Sequence, residues 1–465
     1  MFKRVRRFAT FWSMSVGCAL MLAAAASFAA DSLDWRAKQN KVDADIQSWD
    51  LNTLLKKIAR QTGWKVFVEK GAETTISVKF KNLSEDEALR RLLGKINYSK
   101  DQSNGVSRLL VFRSAAMAAT QAVAAEKRDY RIPNEDLIKL KRGATNSIDD
   151  LAAKVGAKVI KRDDRVGLYR LQFSDPTTAA AGLQSLASDP SVAAADGNFI
   201  VDRPTPAQMT QIPNPTGPVF NLNPQPVSGG PVIGLVDTSV DPPSQFTPYM
   251  LTPIYEAGSA DNQGSTDPTH GTSMLETMLE AMPDAPSKIL PVDVYGSGES
   301  TTSYEVMEGV LAAINAGANP ISLSLGGTGD SALLGSLIQE GVQKGIVFVA
   351  AAGNTPGEGD VYPASYPGVI SVTASTQTVN GPITTSANGA ASAQLASYAN
   401  DPPGTQVMAP GTSLVQWNGQ TWQVEGTSPA TASTAATIAD LMNQDHISIN
   451  QAVAIVTRVS PAPSK

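Results

Sequence analysis

The sequence predicts an α/β fold in which a parallel sheet carries helices on both faces and is preceded by two small α+β domains. In residues 228–465, short apolar runs flanked by Gly and Pro alternate with helical stretches, which is typical of such a sheet. The Ala-rich segment 114–126 and the Pro-rich segment 204–227 lack this periodicity and are predicted to be linkers. They separate two shorter blocks, 31–113 and 127–203, from the last one.

The N-terminus has the features of a secretory signal peptide. A basic head precedes an apolar run over residues 11–28, and Ser27-Phe28-Ala29 fits a small-x-small cleavage pattern. We therefore expect residues 1–29 to be removed and the protein to be periplasmic or secreted, with a retained anchor as the alternative. The single cysteine, Cys18, lies in the apolar run, so the mature chain would contain no disulfide. No later segment has eighteen consecutive apolar residues, so no membrane span is expected after signal removal.

Charge is distributed unevenly along the chain. Residues 201–465 contain 5 Lys and Arg against 21 Asp and Glu, whereas residues 1–200 carry a net positive charge. Opposite fields would steer the two parts towards each other. Alternatively, an acidic enzyme simply adjoins a mildly basic neighbour. No nucleic-acid partner is expected.

The first block, residues 31–113, is predicted to be a small α+β domain. Apolar residues repeat at helical spacing up to Gly63, residues 76–83 alternate as a half-buried strand, Ser84 to Glu87 form a capping box that opens a second helix, and residues 109–112 form a last strand. The stretches LNTLLKKIARQTGWKVFV and VKFKNLSEDEALRRLLGKINY resemble the short N-terminal domain of secretins and TonB-dependent receptors. That resemblance implies docking to an envelope protein without catalytic activity. A generic α+β spacer is the alternative.

The second block, residues 127–203, has a βαββαβ order. Strands are predicted over 136–140, 157–160, 167–173 and 199–201, and helices over 148–155 and 177–187. The stretches SIDDLAAKVGAKVIKRDDRVGLYRLQF and LASDPSVAAADGNFIVD resemble the propeptide of subtilases. That resemblance implies a domain that packs on the enzyme, guides its folding and places its C-terminal tail in the active cleft. An unrelated ferredoxin-like module is the alternative.

Four polar residues of the third block follow predicted strands or begin predicted helices. Strands are predicted over 232–236, 289–292, 320–325, 346–349 and 369–372, and helices over 304–316 and 333–342. Asp237 ends PVIGLVD, His270 begins HGTSMLETMLEAM, Asn354 ends VFVAAAGN, and Ser428 begins a helix within GTSPATASTAATIADLM. Because active sites of such sheets lie at the carboxyl ends of the strands, these residues are expected to converge. His446, which follows the last predicted helix, is expected to be a surface residue.

Each of the four residue types suits one task in acyl transfer. A serine becomes nucleophilic when a histidine takes its proton, and a carboxylate fixes the tautomer of that histidine. The helix N-terminus at Ser428 and the Asn354 amide would donate hydrogen bonds to the developing oxyanion.

With the chain order Asp, His, Ser, these motifs resemble the catalytic domain of subtilases over nearly the whole block. The resemblance implies a subtilisin-like sheet that carries an Asp237, His270 and Ser428 triad with Asn354 as an oxyanion donor. It also implies a set of substrate-binding residues, small enough to form an open pocket for medium or large apolar side chains. These residues are Ser324, Leu325, Gly326, Ala351, Ala352 and Gly353.

Some positions depart from the family pattern. His270 is followed by G-T-S-M instead of G-T-H-V, Glu276 and Glu280 replace mostly small apolar residues, and Ala432 replaces a usual proline. The block also has few loops that could bind calcium, so no metal or cofactor is indicated and calcium binding is left open.

The sequence therefore predicts an exported serine endopeptidase that hydrolyses polypeptides and is made as a self-processed zymogen, with its own propeptide domain as a partner. A catalytically weak or inactive adaptor that binds an envelope protein through residues 31–113 is the alternative. An acid-acting serine-carboxyl peptidase is disfavoured, because that family has a glutamate in place of His270 and an aspartate in place of Asn354.

Overall fold

A computed structural model of the protein describes most of the chain after the predicted signal peptide. The described residues are 32–36, 40–103, 106–123, 130–212, 228–258, 267–284, 286–380, 383 and 393–459. They belong to two compact units, residues 1–128 and 129–465. The predicted signal peptide, with Cys18, lies outside the described residues. In the described part of the chain, no helix is both long and apolar enough to cross a membrane.

The first unit contains seven strands and two helices in its described part. They are β1 (Ser32–Arg36), β2 (Lys41–Asp50), α1 (Leu51–Thr62), β3 (Lys65–Val68), β4 (Thr75–Leu83), α2 (Glu85–Leu93), β5 (Asn97–Ser103), β6 (Val106–Phe112) and β7 (Gln121–Val123). The strands form two sheets, with orders β1-β2-β4 and β5-β6-β3-β7. Gly63 ends α1 with φ 71°, and Ser84 and Glu87 form the predicted capping box of α2.

The predicted linker at 114–126 is wrong for its described part. Residues 116–118 form a 3-10 turn, and β7 pairs antiparallel with β3, with Val123 opposite Val66. Val123 is buried in the core of this unit. A three-residue edge strand is held mainly by backbone hydrogen bonds, so its alanine-rich sequence carries little periodicity by which to recognise it.

The second unit begins with the predicted βαββαβ order and continues into the large sheet. Its first elements are β8 (Arg131–Leu140), α3 (Ile148–Lys154), β9 (Lys158–Asp163), β10 (Leu168–Gln172), α4 (Pro176–Ala187), β11 (Val192–Asp202) and β12 (Gln208–Ile212). The remaining elements are β13 (Val232–Asp237), β14 (Ile254–Tyr255), α5 (His270–Glu280), β15 (Lys288–Asp293), β16 (Ser300–Thr302), α6 (Ser303–Asn315), β17 (Ile321–Leu323), α7 (Ala332–Gln343), β18 (Phe348–Ala351), β19 (Ile370–Thr378), β20 (Val407–Trp417), β21 (Gln420–Glu425), α8 (Thr427–Gln444) and α9 (Ile449–Val459).

The large sheet has nine described strands in the order β12-β21-β20-β19-β18-β17-β13-β15-β14. Pairing is parallel from β20 to β14, as predicted, whereas β21 and β12 pair antiparallel. One apolar cluster joins one face of the sheet to α5, α8 and α9, and a second joins the other face to α6 and α7. Helices therefore cover both faces.

Two expectations about the ends of the large block are corrected. Residues 208–212 of the predicted linker 204–227 form the edge strand β12, while 213–227 lie outside the described residues. The polar sequence Gln-Met-Thr-Gln-Ile does not reveal this strand, because an edge strand needs only one hydrogen-bonded neighbour. His446 is exposed, as predicted, but it precedes α9 instead of following the last helix.

The second block is joined to the large block by a shared sheet and by two helix caps. Strand β11 pairs with β16, so the five-stranded sheet has the order β16-β11-β8-β10-β9. The Asp196 carboxylate accepts hydrogen bonds from Ser331 Oγ (2.8 Å) and the Leu333 N–H (3.1 Å) at the N-terminus of α7. Asn198 Oδ1 accepts from the Tyr304 N–H (3.3 Å) at the N-terminus of α6. These contacts satisfy helix N–H groups that would otherwise need water.

Candidate active site

Asp237 and His270 form a buried pair at the carboxyl end of β13. His270 Nδ1 lies 2.7 Å from Asp237 Oδ1, which also accepts a 2.7 Å hydrogen bond from the Thr238 N–H. Because an ionised carboxylate only accepts hydrogen bonds, this contact favours the His270 tautomer with its proton on Nδ1, in which Nε2 is the acceptor.

Close packing fixes the position of His270. It is the first residue of α5, where the Thr269 side chain caps the helix by accepting from the Thr272 N–H. The Gly271 N–H donates to Thr238 Oγ1 (2.8 Å), and a Cβ at Gly271 would lie 2.3 Å from the Thr238 carbonyl oxygen. Only glycine allows α5 to approach the end of β13 this closely, which brings the imidazole onto Asp237.

Ser428 lies at the start of α8, near the end of β17, a strand that pairs with β13. Its Oγ donates a long hydrogen bond (3.4 Å) to the Ser324 carbonyl oxygen just after β17, and Ser324 Oγ donates to the Ser428 carbonyl (3.1 Å). Among the described residues, His270 Nε2 has no hydrogen-bond partner. The structure thus joins Asp237 to His270 and Ser428 to Ser324, but it contains no hydrogen bond between His270 and Ser428.

Asn354 follows β18, and its amide orientation is fixed by Thr427. Asn354 Oδ1 accepts from the Thr427 N–H (2.8 Å) and from Thr427 Oγ1 (3.0 Å). Because a backbone N–H can only donate, the amide oxygen must face Thr427, and Nδ2 is then directed away from it. Nδ2 donates to the carbonyl oxygen of Thr205 (3.3 Å).

The chain between β11 and β12 therefore crosses the site; we call residues 203–207 the strap. Before the contact at Thr205, the Arg203 N–H donates to the Glu299 carbonyl (2.9 Å). After it, the Ala207 N–H donates to the Glu425 carbonyl (2.7 Å). Ser428 is 4% exposed and His270 is 7% exposed.

The six residues predicted to bind substrate lie at the carboxyl ends of β17 and β18 and beyond them. Leu325, Ala351 and Ala352 are buried. A Cβ at Gly326 would lie 2.8 Å from Val361 Cγ1, so this glycine is required for packing. Gly353 has φ 105°, a conformation that favours glycine. Backbone packing therefore explains part of this small-residue pattern, and the substrate pocket stays a prediction.

Two of the departures from the family pattern have a structural role behind His270. Glu276 is fully buried on α5 and accepts a 2.7 Å hydrogen bond from the Gln416 N–H of β20, while Glu280 accepts one from Ser413 Oγ (3.1 Å). Burial raises the pKa of Glu276 to about 8 and that of Glu280 to about 7. These carboxyls attach α5 to β20.

Several residues that position the site were missed by sequence reasoning. Thr427 stands in the G-T-S motif, and Gly271 in H-G-T, so motif position was a signal for both. Thr238 also had such a signal, since it follows Asp237 directly. Thr205 had none, because it lies 149 residues before Asn354 in a segment predicted to be a linker. Within the described ranges, no group of three or more His, Cys, Asp or Glu side chains could hold a metal ion.

Comparison with known proteins finds a matching family for each of the two later blocks. The sequence model of the subtilase family matches residues 228–456, and that of the fervidolysin N-terminal prodomain matches residues 116–198. Subtilisin E of Bacillus subtilis (strain 168) is 29% identical over 312 residues, which cover 60% of this chain and 74% of subtilisin E. The subtilisin of Bacillus pumilus is 32% identical over 221 residues, which cover 45% of this chain and 72% of that protein.

The fold also resembles that of a solved structure. Fervidolysin from Fervidobacterium pennivorans, a keratinolytic enzyme related to subtilisin, aligns with a TM-score of 0.54 and 19% identity. The alignment covers 70% of this chain and 56% of that one. At this identity the likeness concerns the fold, which is the subtilisin-like α/β fold with an added N-terminal domain.

Proposed function

Since this chain belongs to the subtilase family and is a serine endopeptidase, we propose that Asp237, His270 and Ser428 form its catalytic triad and that Asn354 stabilises the oxyanion. The observation that carries the proposal is the buried Asp237–His270 hydrogen bond of 2.7 Å, with His270 Nε2 lacking a hydrogen-bond partner in the described part of the chain. A buried ring nitrogen in this state is ready to accept a proton from a nucleophile.

The mechanism begins with a rotation of the Ser428 side chain. Its Oγ leaves the Ser324 carbonyl and donates to His270 Nε2. Oγ then attacks the carbonyl carbon of the substrate while Nε2 takes the proton, and Asp237 stabilises the imidazolium. The same histidine returns the proton to the leaving amine.

Two groups stabilise the oxyanion. Asn354 Nδ2 is held towards the cleft because Thr427 occupies the amide oxygen. Ser428 lies in the first turn of α8, an 18-residue helix whose N-terminal dipole and N–H groups favour negative charge. The substrate would pair with Ser324, Leu325 and Gly326 and place its side chain near Ala351, Ala352 and Gly353.

The enzyme is made as an exported zymogen and processes itself between residues 200 and 230. The N-terminal basic and apolar segment supports export to the periplasm or the outside. The match to a prodomain model and the strap across the site support a zymogen. Wild type would then yield a catalytic fragment of roughly half the precursor mass, whereas Ser428→Ala would stay at full length.

Labelling by a fluorophosphonate probe tests the chemistry most directly. A proteolytically activated wild-type sample is expected to be labelled on Ser428 and to hydrolyse casein, and Ser428→Ala is expected to do neither. An activated wild-type sample that is neither labelled nor active would overturn the proposal and favour an inactive adaptor.

Residues 31–113 supply a docking domain for an envelope protein. The resemblance to the short N-terminal domain of secretins and TonB-dependent receptors supports this role, as does a core built within the unit itself. A variant without residues 31–113 should hydrolyse casein at the wild-type rate but lose association with the cell envelope. Unchanged association with the envelope would refute docking through this domain.

A further inference from the structure

We propose that Val361 fills the space between the two proposed substrate-binding segments and so restricts the residue before the scissile bond to a small side chain. We call residues 324–326 the first wall and residues 351–353 the second wall of this pocket. The inference deepens the proposed function and rests on it, because the walls bind substrate only if Ser428 is the nucleophile. It replaces the open pocket for medium or large side chains that the family resemblance implies.

The two walls begin side by side at one edge of the large sheet. The first wall follows β17, and the second wall begins with the last residue of β18. These strands pair in parallel, with Leu323 opposite Ala350, so both walls lie at their carboxyl ends. Ser428 Oγ contacts the carbonyl oxygen of Ser324 in the first wall. A substrate side chain that enters beside the nucleophile would therefore meet whatever occupies the space between the walls.

The side chain of Val361 lies between the walls. A Cβ added to Gly326 would lie 2.8 Å from Val361 Cγ1, and one added to Gly353 would lie 3.2 Å from Val361 Cγ2. Each methyl group of this one side chain thus reaches one wall, and the wall is glycine where it does so. Val361 is 5% exposed, so the valine fills the gap that the two missing side chains leave.

Hydrogen bonds attach the chain on either side of the valine to both walls. Tyr362 and Gly327 exchange two backbone hydrogen bonds (2.8 and 3.0 Å), which fix the following residue beside the first wall. Asn400 Nδ2 donates to the carbonyl oxygen of Ala352, in the second wall, and to that of Gly359, both at 2.8 Å. A movement of the valine that admitted a large side chain would have to break some of these bonds.

The space that the valine takes limits the size of the side chain that fits. Alanine or serine before the scissile bond needs little room beyond the backbone, whereas leucine or phenylalanine would have to displace the two methyl groups. Misfit by a single methylene in an apolar pocket changes catalytic efficiency by about 10–200-fold. We therefore expect this enzyme to cleave after small residues.

A carboxylate beside the second wall suggests one competing preference. A Cβ on Gly353 would lie 3.6 Å from Glu358 Oε2, and Glu358 is exposed. A long basic side chain would pair with this carboxylate if the valine let it pass. The position of Val361 favours small side chains over this alternative, and a lysine substrate distinguishes the two.

The experiment measures kcat/KM on peptide p-nitroanilides that differ only in their last residue, which is Ala, Ser, Leu, Phe or Lys. Activated wild type should cleave the Ala peptide at least about tenfold more efficiently than the Phe peptide. Val361→Ala and Val361→Gly remove the methyl groups and should raise the ratio of Phe to Ala efficiency by about 10–100-fold. Val361→Thr keeps the branched shape and should leave this ratio as in the wild type.

Val369→Ala is the matched control. Val369 is another buried valine, but it belongs to the apolar cluster that joins the sheet to α6 and α7. Its truncation should lower the free energy of unfolding and leave the ratio of Phe to Ala efficiency unchanged. If Val369→Ala shifted that ratio as far as Val361→Ala does, general loosening of the fold would explain both, and the role of Val361 would be refuted.

Fluorophosphonate labelling separates failure of the inference from failure of the proposed function. Labelled wild type that cleaves the Leu, Phe or Lys peptide more efficiently than the Ala peptide overturns the inference while the triad stands. Labelled Val361→Ala and Val361→Gly with an unchanged ratio do the same, and if neither variant folds, the preference of the wild type decides. Activated wild type that is neither labelled nor active on any peptide refutes the triad, and the inference with it.

Discussion

The two halves of the active site are assembled to different degrees. The Asp237–His270 half is complete, with a 2.7 Å hydrogen bond, a cap at Thr269 and close packing at Gly271. In the other half, Ser428 Oγ donates to a backbone carbonyl and Asn354 donates to the strap. The proposed acid–base pair is therefore positioned by the packing of α5 on β13, whereas the proposed nucleophile and the proposed oxyanion donor form hydrogen bonds with other groups. This difference fits the proposed zymogen, in which only the second half would have to change on activation.

The largest effect should come from the proposed nucleophile, Ser428. Removal of Oγ by Ser428→Ala is expected to lower kcat by about 10⁶, since no other group can form the acyl intermediate. Casein hydrolysis by activated samples measures this. Ser433→Ala is the matched control, because Ser433 is a buried serine of the same helix whose Oγ donates to the Ala430 carbonyl. Equal activity losses in the two variants would indicate damage to α8 instead of lost chemistry.

The complete half of the site is tested by Asp237→Asn. This change keeps the volume but favours the wrong histidine tautomer, and it is expected to lower kcat by about 10⁴. Asp293→Asn provides the comparison, since Asp293 is a buried aspartate beside Asp237 in the β13–β15 register. It binds the Tyr295 and Gly296 N–H groups, and its loss should affect activity far less. An active Asp237→Asn enzyme would contradict the acid–base role of the pair.

The second half of the site, in which Ser428 and Asn354 form hydrogen bonds with other groups, is tested at Asn354. Asn354→Ala removes the oxyanion donor and is expected to lower kcat by about 10²–10³, with KM little changed. Thr427→Val keeps the N–H that holds Asn354 Oδ1 but removes the hydroxyl. It should weaken the interaction that orients the Asn354 amide by about 1 kcal/mol or less. If Thr427→Val were as damaging as Asn354→Ala, the role of Thr427 would exceed orientation of the amide.

The smallest effect concerns the support behind His270. Burial raises the pKa of Glu276 from 4.5 to about 8, so the folded protein holds a proton that the unfolded chain releases between those pH values. The free energy of unfolding should therefore fall as the pH rises from about 5 to 8. The reason is that the folded protein must keep this carboxyl group protonated or ionise it while buried, whereas the unfolded chain ionises it in water. Glu276→Gln should make this decline shallower in chemical denaturation. Parallel pH profiles of variant and wild type would contradict this assignment.

Sequence patterns gave most of the elements that carry the site. Apolar runs predicted β13, β15, β17, β18 and β19, and the polar residue that ends β13 is Asp237. Small edge strands were missed, because β7 and β12 are held mainly by backbone hydrogen bonds that do not depend on side-chain pattern. Glu276 illustrates another limit, since only the position of β20 reveals that this charged residue type is fully buried.

By itself, the sequence determined the residues of the proposed chemistry and their order, because the local periodicity of apolar residues indicates where strands end and helices begin. It placed Asp237, His270, Asn354 and Ser428 at one edge of a parallel sheet. Only the tertiary structure decided how these groups are engaged: which carbonyl Ser428 contacts, and that Thr205 reaches Asn354 across 149 residues. The physical reason is that such contacts depend on where the chain returns after β11 pairs with β16, and no local pattern encodes that path.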